Sequence, residues 1–96
     1  MLITVPSAAS AKLGELLTPD QRTQFIADVM EQDGYLYFVL QNSGANAIYV
    51  ESGADASVTD AVSVPAGASI SLKTDNLSKV NLIAASGTPN VILTVS

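Results

Sequence analysis

Hydrophobic positions along this chain follow two regimes that meet near Gly34. Beyond Gly34 they alternate with small polar residues, which is the period of a strand with one buried face. The predicted strands are Tyr35 to Gln41, Ala47 to Glu51, Val58 to Val64 with an interruption at Asp60, Ala68 to Leu72, Lys79 to Ala84, and Asn90 to Val95. Asn42 to Asn46 reads as a Gly-containing hairpin loop, so the first two strands are expected to pair antiparallel. Ser52 to Ser57 is a small polar loop, and Pro65-Ala66-Gly67, Thr74 to Ser78 and Ser86 to Pro89 supply turns. Strands spaced about 8 to 12 residues apart without intervening helices indicate a mainly β fold, a small antiparallel β-sandwich or jelly-roll-like domain.

Before Gly34 the period is helical. Thr18, Pro19 and Gln21 suit the N-cap, the first helical position and the reciprocal capping-box position, and Asp20 adds charge at the positive end of the helix. Arg22, Phe25, Ile26, Val29 and Met30 then recur on one face. One short helix from about Pro19 to Gln32 is predicted, stopped by Gly34. Leu2 to Val5 is a short extended segment ended by Pro6, Ser7 to Ala11 is a small-residue linker, and Leu13, Leu16 and Leu17 form an apolar cluster of undefined conformation. The chain thus divides into an N-terminal arm (1–17), a capped helix packed on the sheet (18–34) and a β-sandwich (35–96), all within one domain.

Alternation assigns an inward set of Leu36, Phe38, Leu40, Ile48, Val50, Val62, Val64, Ile70, Leu72, Val80, Leu82, Val91, Leu93 and Val95. Ser63, Ser69, Ser71 and Asn81 on the other face are polar, as a solvated face requires. Tyr35, Tyr37, Val39, Tyr49, Ile83 and Ile92 break that rule and predict a second apolar surface. Tyr35 to Leu40 is moreover a run without charge or proline, of the kind that aggregates as an open edge. Two covers are open: the helix stripe lying across the outer face, or contact with another subunit. The protein-interface candidates are these six residues together with Leu2, Ile3 and Val5, which could add a strand to a neighbour's sheet edge and be dispensable for the fold.

Composition sharpens this picture. Hydrophobic residues make up 48% and charged residues 14% of the 96-residue chain, against about 25% charged in an average soluble domain. Its outside is therefore expected to be small-polar or covered. Net charge is −5 and the cations Lys12, Arg22, Lys73 and Lys79 are dispersed, so nucleic acid is not an expected partner. Apolar runs fall short of a membrane span, so no membrane partner is expected, and Met1 to Leu17 lacks the pattern of a signal peptide. The absence of cysteine fits folding in a reducing cytoplasm.

Without His or Cys, the commonest general base, the thiol nucleophile and the best transition-metal ligands are missing. No serine stands three residues before a lysine, and no nucleophile elbow or phosphate-cradling loop occurs. Asp55, Asp60 and Asp75 lack the alternating ligands of a calcium loop and read as turn residues. The expectation is a non-enzymatic protein with no catalytic residues, no cofactor and no metal site. Aromatic residues in loops would suggest sugar stacking, whereas the aromatic residues here fall in the predicted strands and helix.

The segments FVLQNSGANAIYVESGADAS (38–57) and VSVPAGASISLKTDNLSKVNLIAASGTPNVILTV (62–95) resemble a recurring pattern in small virion proteins of tailed bacteriophages. Proteins that look like this are head decoration or cement proteins and related accessory components, with β-sandwich or jelly-roll folds. The resemblance implies a structural protein, a homo-oligomer on the capsid exterior made in the host cytoplasm, whose partner is the major capsid protein. Tail, baseplate and fibre accessory proteins share such patterns, and a carbohydrate- or receptor-binding β-sandwich module is the alternative from another class.

Overall fold

The computed structural model describes residues 1–28, 31–32, 35–57, 59 and 61–95, with the backbone alone described for 26–28, 31–32 and 95. Two antiparallel sheets share one core. The first is built from β1 (Leu2–Thr4), β9 (Asn90–Val95), β4 (Tyr35–Asn42) and β7 (Ser69–Thr74), with the two-residue β3 (Glu31–Gln32) beside the start of β4. The second runs β2 (Ala11–Lys12), β8 (Val80–Ala84), β5 (Ile48–Ser52), β6 (Val62–Val64). Two helices, α1 (Leu13–Leu16) and α2 (Pro19–Asp28), lie between β2 and β3, and a 3₁₀ turn at Leu77–Lys79 leads into β8.

Alternation places side chains as the sequence predicts along β4, where Leu36, Phe38 and Leu40 are buried and Tyr35, Tyr37 and Val39 face out. Ile48, Val50, Val64, Val80, Leu82, Val91 and Leu93 are buried likewise. Burying each such side chain contributes roughly 1.5 to 3 kcal/mol before chain entropy is subtracted. Val62 is different, 57% exposed at the end of its short strand, and Ile70 and Leu72 are only half-buried.

The expected hairpin between β4 and β5 does not form, because the two strands belong to different sheets. Residues 43–47 carry the chain around a corner instead. The buried Asn42 side chain holds it, donating to the carbonyls of Asn46 (2.8 Å) and Val64 (3.0 Å) and accepting from the Gly44 N–H (3.1 Å). A Cβ on Gly44 would stand 2.3 Å from the Pro89 Cβ, so the corner closes only around glycine. The Pro65-Ala66-Gly67 turn forms as expected, closed by Ala68 N–H to Pro65 carbonyl (3.0 Å) with Gly67 at φ 82°.

The N-terminal segment is not an arm. Leu2–Thr4 pairs with β9 and Ala11–Lys12 with β8, so the first twelve residues contribute a strand to each sheet. Val5 N–H donates to the Pro89 carbonyl and the next residue, Pro6, accepts from Ala84 N–H, which ties the two sheets together at one point. Apolar burial drives this docking, since Ile3 and Val5 are 3% and 0% exposed and Leu13 is fully buried.

The capping box of α2 is present: Gln21 N–H donates to Thr18 Oγ1 (3.1 Å) and Thr18 N–H to Gln21 Oε1 (2.9 Å). The helix extends to Asp28 and not to Gln32, because Glu31–Gln32 pairs with Leu36 and Tyr35 as strand. Phe25 meets Phe38 edge-on with ring centroids 5.3 Å apart. Phe38 points inward, so α2 docks through Phe25 on the core side of β4 and not on the outer face that carries Tyr35, Tyr37 and Val39. Val29, Met30, Gly34, Val58 and Asp60, and the side chains of Ile26 and Val95, lie outside the described residues.

Candidate interaction surface

Strand register decides which outward side chains become neighbours. Leu2 lies directly opposite Ile92, Ile92 opposite Gln41, and Val39 therefore sits diagonally from Ile92 on the same face. Tyr37 and Tyr35 continue the row along β4. Five of the nine expected interface residues, Leu2, Ile92, Val39, Tyr37 and Tyr35, thus form one oblique stripe on the outer face of the first sheet. Leu2 is 56% and Tyr35 37% exposed, and the other three are half-buried.

Around the stripe stand Thr4, Asn90, Thr94, Ser69 and Ser71, which are exposed and uncharged. Lys73 is the cation on this face among the described residues. Its ammonium lies 4.3 Å from the Tyr35 ring centre and 5.7 Å from that of Tyr37, because β7 pairs Lys73 with Tyr37. An ammonium over aromatic rings is attracted by their negative faces, and the lysine stem covers apolar ring surface that would otherwise meet water.

Tyr49 and Ile83 do not join this stripe. They face each other across β5 and β8 on the outer side of the second sheet, both half-buried. The loop after β5 folds back over part of that side, where Ala56 N–H donates to Ser10 Oγ (2.9 Å) and Ala56 is buried. Ile3 and Val5, expected at an interface, are core residues as described above; only Leu2 of that trio faces solvent.

Pattern reasoning did not reveal a cleft of about 520 Å³ between α1 and the turn after β7. Lys12, Glu15, Arg22 and Asp75 bring charge to its lining, and Leu36 and Leu77 supply apolar wall. Asp75 accepts from Lys79 Nζ at 3.0 Å, and this bond holds its carboxyl below the usual carboxylate range. These residues lie far apart in sequence, and no local spacing signals their convergence. Among the described residues no group of three or more His, Cys, Asp or Glu side chains is placed to hold a metal ion, and no helix is long and apolar enough to cross a membrane. No protein-family model, curated protein or solved structure matches this chain.

Proposed function

We propose that this protein is a structural virion component of the decoration or cement type, which binds the major capsid protein through the outer face of its first sheet and sits on the shell exterior. The observation that carries the proposal is the Leu2, Ile92, Val39, Tyr37, Tyr35 stripe, which lies on the face of β4 opposite to the one where Phe25 of α2 docks on Phe38. Tyrosines beside aliphatic side chains, with a polar rim in which Lys73 is the cation among the described residues, have the composition of an interface centre. An outer sheet face of this kind suits a broad protein partner better than a small ligand, which binds in concave sites.

The strand order supports a finer reading of the fold as a jelly-roll sandwich. Leaving out β3, the sheets run β1-β9-β4-β7 and β2-β8-β5-β6, and the chain changes sheet at every connection except β5 to β6. An eight-stranded double Greek key, an architecture used by viral capsid and lectin domains among others, winds in such an order, which supports this reading. Fold alone does not specify function; with the resemblance in residues 38–57 and 62–95 it favours a virion role over a receptor-binding one. The charged cleft beside α1 is the observation on the side of ligand binding, and the described residues around it include no aromatic ring on which a sugar could stack.

Cosedimentation with expanded phage shells tests the proposal. The wild-type chain is expected in the shell pellet, and Tyr37→Asp and Val39→Asp, both at outward positions, are expected to bind at least about 10-fold more weakly while keeping wild-type circular dichroism. Binding to tails or baseplates and not to shells would move the assignment to an accessory tail protein. A chain that ignores every particle, or variants that pellet like wild type, would falsify it.

A further inference from the structure

The first sheet ends in two strands of unequal length, and the longer is β7. Asn42 N–H donates to the Ala68 carbonyl directly opposite it, and Ser43 N–H donates to Asn90 across the other edge of β4. Even-numbered residues of β4 therefore exchange backbone bonds with β7, and odd-numbered residues with β9. By the same alternation Ile70, Leu72 and Thr74 spend their backbone groups on β4, while the N–H and C=O of Ser69, Ser71 and Lys73 point away from it. Among the described residues no strand pairs with that free edge. Beneath it Ile70 and Leu72 remain half-buried, where the inward Leu36, Phe38, Leu40, Val91 and Leu93 of the same sheet are buried.

We infer that the β7 edge binds a second copy of this chain, β7 to β7, antiparallel about a two-fold axis through Ser71. Only an extended backbone offers donors and acceptors at the spacing that this edge presents. The register centred on Ser71 engages all of Ser69, Ser71 and Lys73, whereas shifting it leaves one of them beyond the partner's strand. It sets Ile70 against Leu72 of the other copy on the inner side, so apolar meets apolar. On the outer side it sets Lys73 against the partner's Ser69, away from the partner's own lysine, so no like charges oppose each other. Isologous pairing of this kind closes after two copies and joins the two first sheets into one.

A strand pair this short falls at the small end of interface sizes. The dimer is accordingly concentration-dependent in solution, and strengthened where a surface holds copies side by side. It uses an edge and not the outer face, so it can fail while the capsid proposal stands, and the reverse.

Cysteine placement tests the register, since the native chain has none. Opposed residues of a hydrogen-bonded antiparallel pair have Cα atoms about 5.5 Å apart, within the range a disulfide spans. Under mild oxidation Ser71→Cys is expected to give a covalent dimer, and Ser69→Cys, which would face Lys73 of the other copy, to remain a 9.9 kDa monomer. Both positions are exposed, so the substitutions leave the core intact. Sedimentation equilibrium of the native chain up to about 1 mM is expected to show dimer, and Ser71→Pro, which removes only an N–H directed off the edge, to show monomer. A native chain that stays monomeric throughout, equal crosslinking at both positions, or a dimer that survives Ser71→Pro would overturn the inference. Should the proline variant fail to fold, Ser71→Lys, which sets two ammonium groups face to face on the axis, gives the same discrimination.

Discussion

At the edge formed by β1 and β2 the chain crosses between the sheets over buried apolar side chains, whereas at the edge formed by β7 and β6 it crosses in a tight turn and leaves apolar side chains partly exposed. On the first side consecutive residues, Val5 and Pro6, bond to Pro89 and Ala84 in the two halves of the domain, and Ile3, Val5 and Leu13 are buried beneath them. On the second side the sheets are joined at one end by the Pro65-Ala66-Gly67 turn, and Val62, Ile70 and Leu72 retain exposed apolar surface. Hydrophobic stabilisation follows the area removed from water, so the first side contributes more to stability than the second, which has surface left for another chain. A small domain of this size has little stability to spare, with roughly 5 to 15 kcal/mol expected in total.

Disruption is expected to cost most on the β1/β2 side. Val5 is fully enclosed, and placing an unpaired carboxylate there costs several kcal/mol, about 3 to 5 by analogy with orphaned buried charges. Val5→Asp is therefore expected to lose most or all of its cooperative urea transition at 25 °C, and deletion of residues 1–5 to do the same. A truncated chain with an unchanged unfolding midpoint would show that the strand at Leu2–Thr4 is an accessory and that the two sides are alike.

Matched truncations sharpen the contrast. Leu82, on β8, is fully buried, and Leu82→Ala should cost about 2 to 5 kcal/mol. Leu72 on β7 is half-buried, so Leu72→Ala should cost less than half as much at low protein concentration, and Val62→Ala no more than about 0.5 kcal/mol. Urea midpoints at unchanged m-value give the ranking. If Leu72→Ala equals Leu82→Ala in dilute solution, the second side is closed in the monomer.

Local features of the fold are legible in the chain alone. Period-two alternation sorted Leu36, Phe38 and Leu40 from Tyr35, Tyr37 and Val39, because a strand with one dry face imposes that order locally. The capping box at Thr18 and Gln21 is equally local. Partners are another matter. A five-residue loop after Asn42 is as compatible with a hairpin as with a corner, and what decides is a buried amide reaching Val64, twenty-two residues on. Leu2 to Val5 looked like an arm for the same reason, since the strand it joins lies at the far end of the chain. The candidate surface was legible as a set of outward apolar residues, but its division between two sheets, the placing of Ile3 and Val5 inside, and the neighbouring of Leu2 with Ile92 depend on register.

The smallest effect concerns charge at the end of β7. Lys79 donates to Asp75 four residues earlier, with both side chains about half exposed. That bond lowers the Asp75 pKa, and the contribution it makes to folding is present above the ordinary carboxylate range and is lost as pH falls through the depressed value. Lys79→Ala is expected to return the Asp75 titration, followed by carboxyl-carbon NMR, upward to the ordinary range. The urea midpoint at neutral pH should move less than it does in Leu72→Ala, since exposed i,i+4 pairs are screened by water and salt. A larger shift for Lys79→Ala than for Leu72→Ala would mean that ion pairing, and not apolar burial, holds the β7 side, and unequal apolar burial would no longer separate the two edges.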